Sequence, residues 1–417
     1  MNPISHYFNL FYLFISIIWP PLQMYHLGVD SGGYTILALS IIALVWNSPA
    51  FWRQEHVMRS PAFLCWMALL AFSIVNSFMK GFVSEWGSLV FYKNNYIVPF
   101  IFLFVLVVEL DWDFDKCLKT LLLALFTYIL LCLGDMGLDK DDRMVAEGLR
   151  NILPLHTTCF VFVGSMLLTR QRLPSIIFWC VVIIAVVITM LSGTRKALGA
   201  IVILLMGVAF SHDGGKEQNL WYYTRLALFL AILYIGLNYI MDNTMMGERL
   251  ADTAEESKVE FVENETVNWF LNNLLGDRSI QYELGFGLFL LHPLTGIGIT
   301  NFIPFSGFPF RLHTEYMTQL CENGIIGFSM LIFLYFLILK KLLSRQREYG
   351  ENIIMVLFGM FALLFINITV WTYNQNFGMI YYGILIAYAY TNFDDMLIEE
   401  NESEWYDETE EASTEEA

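Results

Sequence analysis

Apolar residues in this chain of 417 residues run in long blocks separated by short polar connectors. A hydrocarbon layer about 30 Å thick takes ~20 residues of helix, with ~17–25 tolerated. Blocks of that order fall near 5–21, 33–49, 61–79, 95–110, 117–134, 153–169, 173–191, 196–211, 224–241, 315–339, 352–371 and 376–393. The pattern predicts an all-α polytopic membrane protein of about twelve transmembrane helices, with one membrane domain over 1–393. The clearest polar connectors are 135–152, 212–223, 340–351 and the long stretch 242–314.

That long loop changes period rather than losing it. Within 263–276, Val267, Phe270, Leu271, Leu274 and Leu275 follow the spacing of one helix face. Asn264, Asn268, Asn272 and Asn273 lie mostly on the other, and Gly276 supplies a stop. An amphipathic helix lying on the membrane surface or capping the bundle is the expectation. The apolar piece 284–291 is too short to span and ends at His292-Pro293.

Composition sharpens this picture. The chain is 57% hydrophobic and 15% charged, against about 45–50% and about 25% in soluble domains. Its formal charge of -17 misleads, because 12 of the 40 acidic residues lie between Asp394 and Ala417, where there is no Lys or Arg. The other 28 acids face 23 bases, so the body is nearly neutral and 394–417 reads as an acidic cytosolic tail, disordered by composition. No basic face for nucleic acid remains. The six cysteines lie in or beside apolar runs without metal-ligand spacing and read as small core hydrophobes, not disulfide staples. The N-terminus lacks basic residues and a small-residue cleavage site, so the first block is expected to be a retained helix.

Basic residues in short loops set the orientation. With the N-terminus inside, cytoplasmic loops hold twelve Lys and Arg and short outer loops hold seven. The runs RQR (170–172) and KKLLSRQR (340–347) are the strongest anchors. Loop 242–314 is then outside and the acidic tail in the cytosol.

Two places carry chemistry. Arg195, in LSGTRKALGAIVI, sits at an outer turn between two apolar blocks. A charge at that depth is costly and serves a water-filled cavity or an anionic partner unless it snorkels to headgroups. The second place runs from GDRSIQYELGFGLFLLHPLTGIGITNF (276–302) to RLHTEYMTQLCENGIIGF (311–328). His313 stands at the mouth of a membrane helix, and a histidine titrating near neutrality suits general-base work. His292, among apolar neighbours, reads as structural. The acidic cluster DWDFD (111–115) falls on the cytoplasmic side and reads as a helix-start feature. No metal cage is expected near the outer loop, and no cofactor.

These two motifs together resemble the signature region of the O-antigen ligase and O-antigen polymerase superfamily. Arg195 and Leu198 match that family's upstream arginine motif, and His313 with Glu322, Gly324 and Gly327 matches its downstream block. The motifs cover roughly 190–330, and the twelve-span plan is similar over the whole chain. Glu315 stands where the ligases have Asn, Ser or Gln, which leaves ligase and polymerase both open. The resemblance implies a metal-independent, GT-C-like glycosyltransferase. Its donor would be a glycan on undecaprenyl diphosphate, and its acceptor a glycan or lipid hydroxyl. Implied partners are membrane lipids and a chain-length regulator or other polysaccharide-assembly proteins. On that reading Arg195 and His313 are catalytic, while Arg278, Arg311 and Glu315 bind substrate. A polytopic transporter or flippase for a polysaccharide or small anion is the alternative, since fold does not fix function.

Overall fold

The computed structural model describes residues 3–22, 32–53, 57–81, 97–133, 143–192, 194–211, 279–308, 311–312, 314–349, 353–370, 372–373 and 375–391. Among the described residues there are thirteen helices and no strand. They are α1 (Pro3–Pro21), α2 (Gly32–Arg53), α3 (Pro61–Lys80), α4 (Val98–Trp112), α5 (Phe114–Leu133), α6 (Arg143–Thr169) and α7 (Ser175–Ser192). There follow α8 (Arg195–Ser211), α9 (Ser279–Leu291), α10 (Phe302–Ser306), α11 (Glu315–Tyr349), α12 (Ile354–Asn367) and α13 (Asn376–Tyr390). Eleven of the twelve apolar blocks carry a helix; block 224–241, the amphipathic segment 263–276 and the acidic tail 394–417 lie outside the described residues.

The boundaries follow local chemistry. Ser60 caps α3, its Oγ accepting the Phe63 amide at 3.2 Å, and Pro61 takes the first turn, where no amide donor is needed. Asp113 separates α4 from α5 and accepts the Lys116 amide at 2.9 Å. Inside α6, Pro154 frees backbone carbonyls, and the Thr157 hydroxyl donates to the Pro154 oxygen at 2.6 Å.

A helix apolar all round belongs inside. Residues 377–389 of α13 are buried without interruption, and α4 is buried almost as completely. These two pack on each other, and α1, α2, α5, α6, α11 and α12 surround them. Glycine lets helices close up: Gly383 of α13 faces Leu106 of α4, and Gly359 of α12 faces the Phe162 ring. The outward surface stays apolar, with Ile176 75% exposed, Met79 71% and Phe336 54%.

Two helices, Pro61–Lys80 and Glu315–Arg347, are long and apolar enough to cross a membrane by length and composition. Six further apolar helical segments run only 10–17 residues. The 14 residues of α12 rise about 21 Å, short of the ~30 Å of hydrocarbon. Among the described residues the all-helical plan is thus shown, with two helices of span length.

Contacts sort the bundle into two ends. At one, Asp115 pairs with Arg170 at 2.6 Å and Arg172 at 2.7 Å, Thr391 donates to Asp111 at 3.1 Å, and Arg345 donates to the Thr391 carbonyl. These are the segments that charge bias assigns to one side, here called the basic end. The other end gathers the last turn of α3, residues 292–301, the start of α11 and residues 368–373.

Candidate functional site

The frame of the site is a broken helix. At Gly324, α11 adopts φ 65 and ψ -166, a region that only glycine occupies without strain. The break frees backbone groups, and residues 293–298 pair with them. Ile297 and Gly298 donate to the carbonyls of Cys321 and Glu322, each at 2.9 Å, while Ile325 donates to Pro293 at 2.8 Å and Ile326 to Leu294 at 3.3 Å. The crossing is so close that a methyl on Gly324 would lie 2.3 Å from the Leu294 oxygen, and one on Gly296 would lie 2.4 Å from the Glu322 carbonyl carbon. Glycine at both positions is thus a condition of the fold.

α3 locks this crossing from the side. The Asn76 amide donates to the carbonyls of Thr295 at 2.6 Å and Glu322 at 3.2 Å, and Ser77 Oγ accepts the Ile299 amide at 2.8 Å. Asn301 reaches back to the Gly81 carbonyl at 3.1 Å. Glu322 accepts the Thr300 amide at 3.1 Å and feels the charge of Arg311. His292 makes its carbonyl available to the Gly296 amide at 2.9 Å and sets its ring edge-on to Phe305.

Glu315 opens α11 and is 1% exposed. Its Oε2 accepts the amides of Thr372 at 2.6 Å and Tyr373 at 2.9 Å, and its Oε1 accepts the Gln319 side-chain amide at 3.0 Å. Gln319 in turn accepts from Asn323 at 2.8 Å. Because a carboxylate accepts only, it orients this ladder of amides along one face of α11. Thr372 continues the network inward: it donates to Asn367 at 2.5 Å, Asn367 donates to Tyr335 at 2.5 Å, and Tyr335 meets Tyr382 at 2.8 Å. With three donors on its carboxylate, Glu315 braces segment 372–373.

Segment 368–373 is the hub on which the other elements converge. Tyr282 of α9 donates to the Ile368 carbonyl at 2.7 Å, and Tyr316 of α11 donates to Leu364 at 3.1 Å. α8 arrives by packing on α12: Gly199 faces Phe365 and Gly207 faces Phe358, so the two helices run antiparallel. One turn back from Gly199 is Arg195, the first residue of α8, and one turn on from Phe365 is segment 368–370. The register therefore brings the backbone of Arg195 level with the hub. α9 packs on the first turn of α11, with Gly285 against Met317 and Leu312.

Of the residues singled out in the sequence, Arg195, by its backbone, and Glu315 thus lie at the same end of the bundle, near 368–370 and 372–373. Arg311 joins them through Glu322. His313 and Arg278 lie outside the described residues; the neighbours of His313, Leu312 and Thr314, are both buried. Sequence reasoning passed over Asn76, Ser77, Thr372 and Tyr373. The polar run around NITVWTYNQN (367–376), between two apolar blocks, carried the signal for the last two. Among the described residues no three His, Cys, Asp or Glu side chains gather as metal ligands. The polar groups gathered at this end are amides, hydroxyls, the carboxyls of Glu315 and Glu322 and the Arg311 guanidinium.

The class thus defined is an all-helical bundle with an apolar exterior, a discontinuous helix and a polar site at one end. Among known proteins, no family model matches the chain, and none of the curated proteins matches it.

Proposed function

We propose that this chain is an inner-membrane glycosyltransferase of the O-antigen ligase or polymerase type, working at the periplasmic face. It would transfer a glycan from an undecaprenyl-diphosphate donor to an acceptor hydroxyl. The observation that carries this reading is the convergence at the hub. The α8–α12 register brings Arg195, from the first motif, to the segment whose amides Glu315, from the second motif, holds. Two motifs more than a hundred residues apart in sequence thus meet at one end of the bundle.

Each residue has a part in the chemistry. The acceptor oxygen attacks the anomeric carbon while the bond from that carbon to the diphosphate oxygen breaks. His313 takes the acceptor proton. Arg195 and Arg278 bind the departing diphosphate, because a guanidinium offers several donors in a plane and keeps its charge. Arg311 contacts glycan or phosphate beside Glu322, and Glu315 serves the ligand by fixing the wall at 372–373. The apolar exterior and two span-length helices support a place in the membrane. Twelve crossings in all, with the basic end in the cytosol, belong to the same proposal.

A transporter or flippase is the second reading, favoured by one observation. Discontinuous helices crossed by a loop are a common way for transporters to build a midplane site. The test is a transfer assay on the purified full chain with a defined undecaprenyl-diphosphate glycan, with and without chelator. Transfer that persists in chelator and disappears in His313→Ala is expected. Vesicle uptake of the glycan with no glycosidic product would replace this reading with the second.

A further inference from the structure

Among the described residues, the most deeply buried ionisable group that the proposed chemistry leaves unused lies at the basic end. Glu109 of α4 is 0% exposed. Its Oε2 is 2.6 Å from His6 Nδ1 of α1, and its Oε1 accepts Asn9 Nδ2 at 2.6 Å. Asn9 and Asn47 of α2 bond each other reciprocally at 2.7 Å, and Asn47 also donates to the Ala43 carbonyl at 2.7 Å. Both amide orientations are therefore set: Asn9 can only donate to Glu109. The one proton left to place is between Glu109 and the ring of His6.

That proton has restricted positions. His6 is 4% exposed, and its Nε2 is buried without a hydrogen-bond partner. With a single proton, on Nδ1, every donor in the cluster is satisfied and the pair carries one negative charge. A second proton neutralises that charge. On Nε2 or on Oε2 it leaves an Nε2–H that needs an acceptor, and on Oε1 it makes a hydroxyl that needs one instead. Neutralising a buried charge favours uptake, whereas the orphaned donor requires water or a packing shift beside it. The other groups bearing on the pair are Asp113 and Lys116 at the α4–α5 junction, the amino-terminal charge, and the Cys117 thiol of α5.

We propose that His6 and Glu109 form one proton-binding site, separate from the glycan site, in which proton uptake is coupled to the seating of α1 and α2 on α4. The separation is the length of α13. That helix starts three residues after Tyr373 and is followed by Thr391, which bonds Asp111, two residues from Glu109. Its 15 residues rise about 22 Å. Ionisable pairs inside membrane bundles commonly act as proton relays or coupling sites.

The test counts protons. The full-length protein in detergent is taken from pH 8 to pH 5 and uptake per chain is titrated. Glu109→Gln and His6→Gln are each expected to abolish the same single proton, and the double variant to remove no more than either. An unchanged count in Glu109→Gln, or additive losses, overturns the shared site, since a histidine titrating alone does not need Glu109. The unmutated protein, grown with ¹⁵N-histidine, gives a second reading. His6 Nδ1 and Nε2 resonances should move together through one transition, and resonances constant from pH 8 to pH 5 overturn the proposal.

Discussion

Arg195 and Glu315 are both charged residues at helix starts near the same hub, yet they call for opposite substitutions. At Arg195 the proposed ligand is a diphosphate, recognised by the forked geometry of the guanidinium as much as by its charge. Arg195→Lys is therefore expected to reduce kcat/KM for glycan transfer at least tenfold with expression unchanged; wild-type kinetics would leave the residue a headgroup anchor. At Glu315 the partners are known: two backbone amides and Gln319. Glu315→Ala strands these buried donors, at about 1–3 kcal/mol for each group left unsatisfied. Thermal unfolding in detergent should show a large loss for Glu315→Ala and a smaller one for Glu315→Gln, which keeps one acceptor oxygen. Equal stability of the two variants would contradict a bracing role.

Among elements, α11 decides the most. Its sequence ENGIIGF (322–328) falls in the apolar block 315–339, which predicts a membrane helix. The structure instead breaks the helix at Gly324 and threads 293–298 across the gap. Gly324→Ala would place a methyl 2.3 Å from the Leu294 oxygen in a conformation that costs about 1–3 kcal/mol for any other residue. The expected result is loss of the folded monodisperse protein or of transfer, whereas Gly287→Ala, where the added methyl meets nothing within 4 Å, should behave as wild type. Matching behaviour of the two variants would show that the crossing is not needed. Helix α8 illustrates the opposite situation. Its apolar block and the Arg195 that opens it are both readable in sequence, but its partner α12 is not, because apolar blocks carry no label for which neighbour they pack on.

At the scale of the molecule, the pairing of Asp115 with Arg170 and Arg172, and of Arg345 with Thr391, collects the segments that charge bias places in the cytosol. The candidate site lies at the other end. Cysteine placed at Lys340 and at Phe305, in a chain relieved of the exposed Cys180, should label from opposite sides of right-side-out vesicles with an impermeant maleimide. Phe305→Cys is expected to react from outside and Lys340→Cys only after permeabilisation. Labelling of both from one side would refute the orientation.

Helix positions and the polar breaks between them were legible in the sequence alone, because an apolar run of this length has few ways to satisfy its backbone other than as helix. So were the tail that carries twelve of the acidic residues and the two motifs that hold Arg195 and His313. The hub at 368–373, the break at Gly324, the bracing position of Glu315 and the His6–Glu109 pair were decided only in three dimensions. Each joins residues far apart in the chain, His6 and Glu109 by 103 positions and Asn76 and Glu322 by 246. The physical reason is that burial is nonspecific in its partners, whereas a buried polar atom accepts only the donor that tertiary packing brings within about 3 Å.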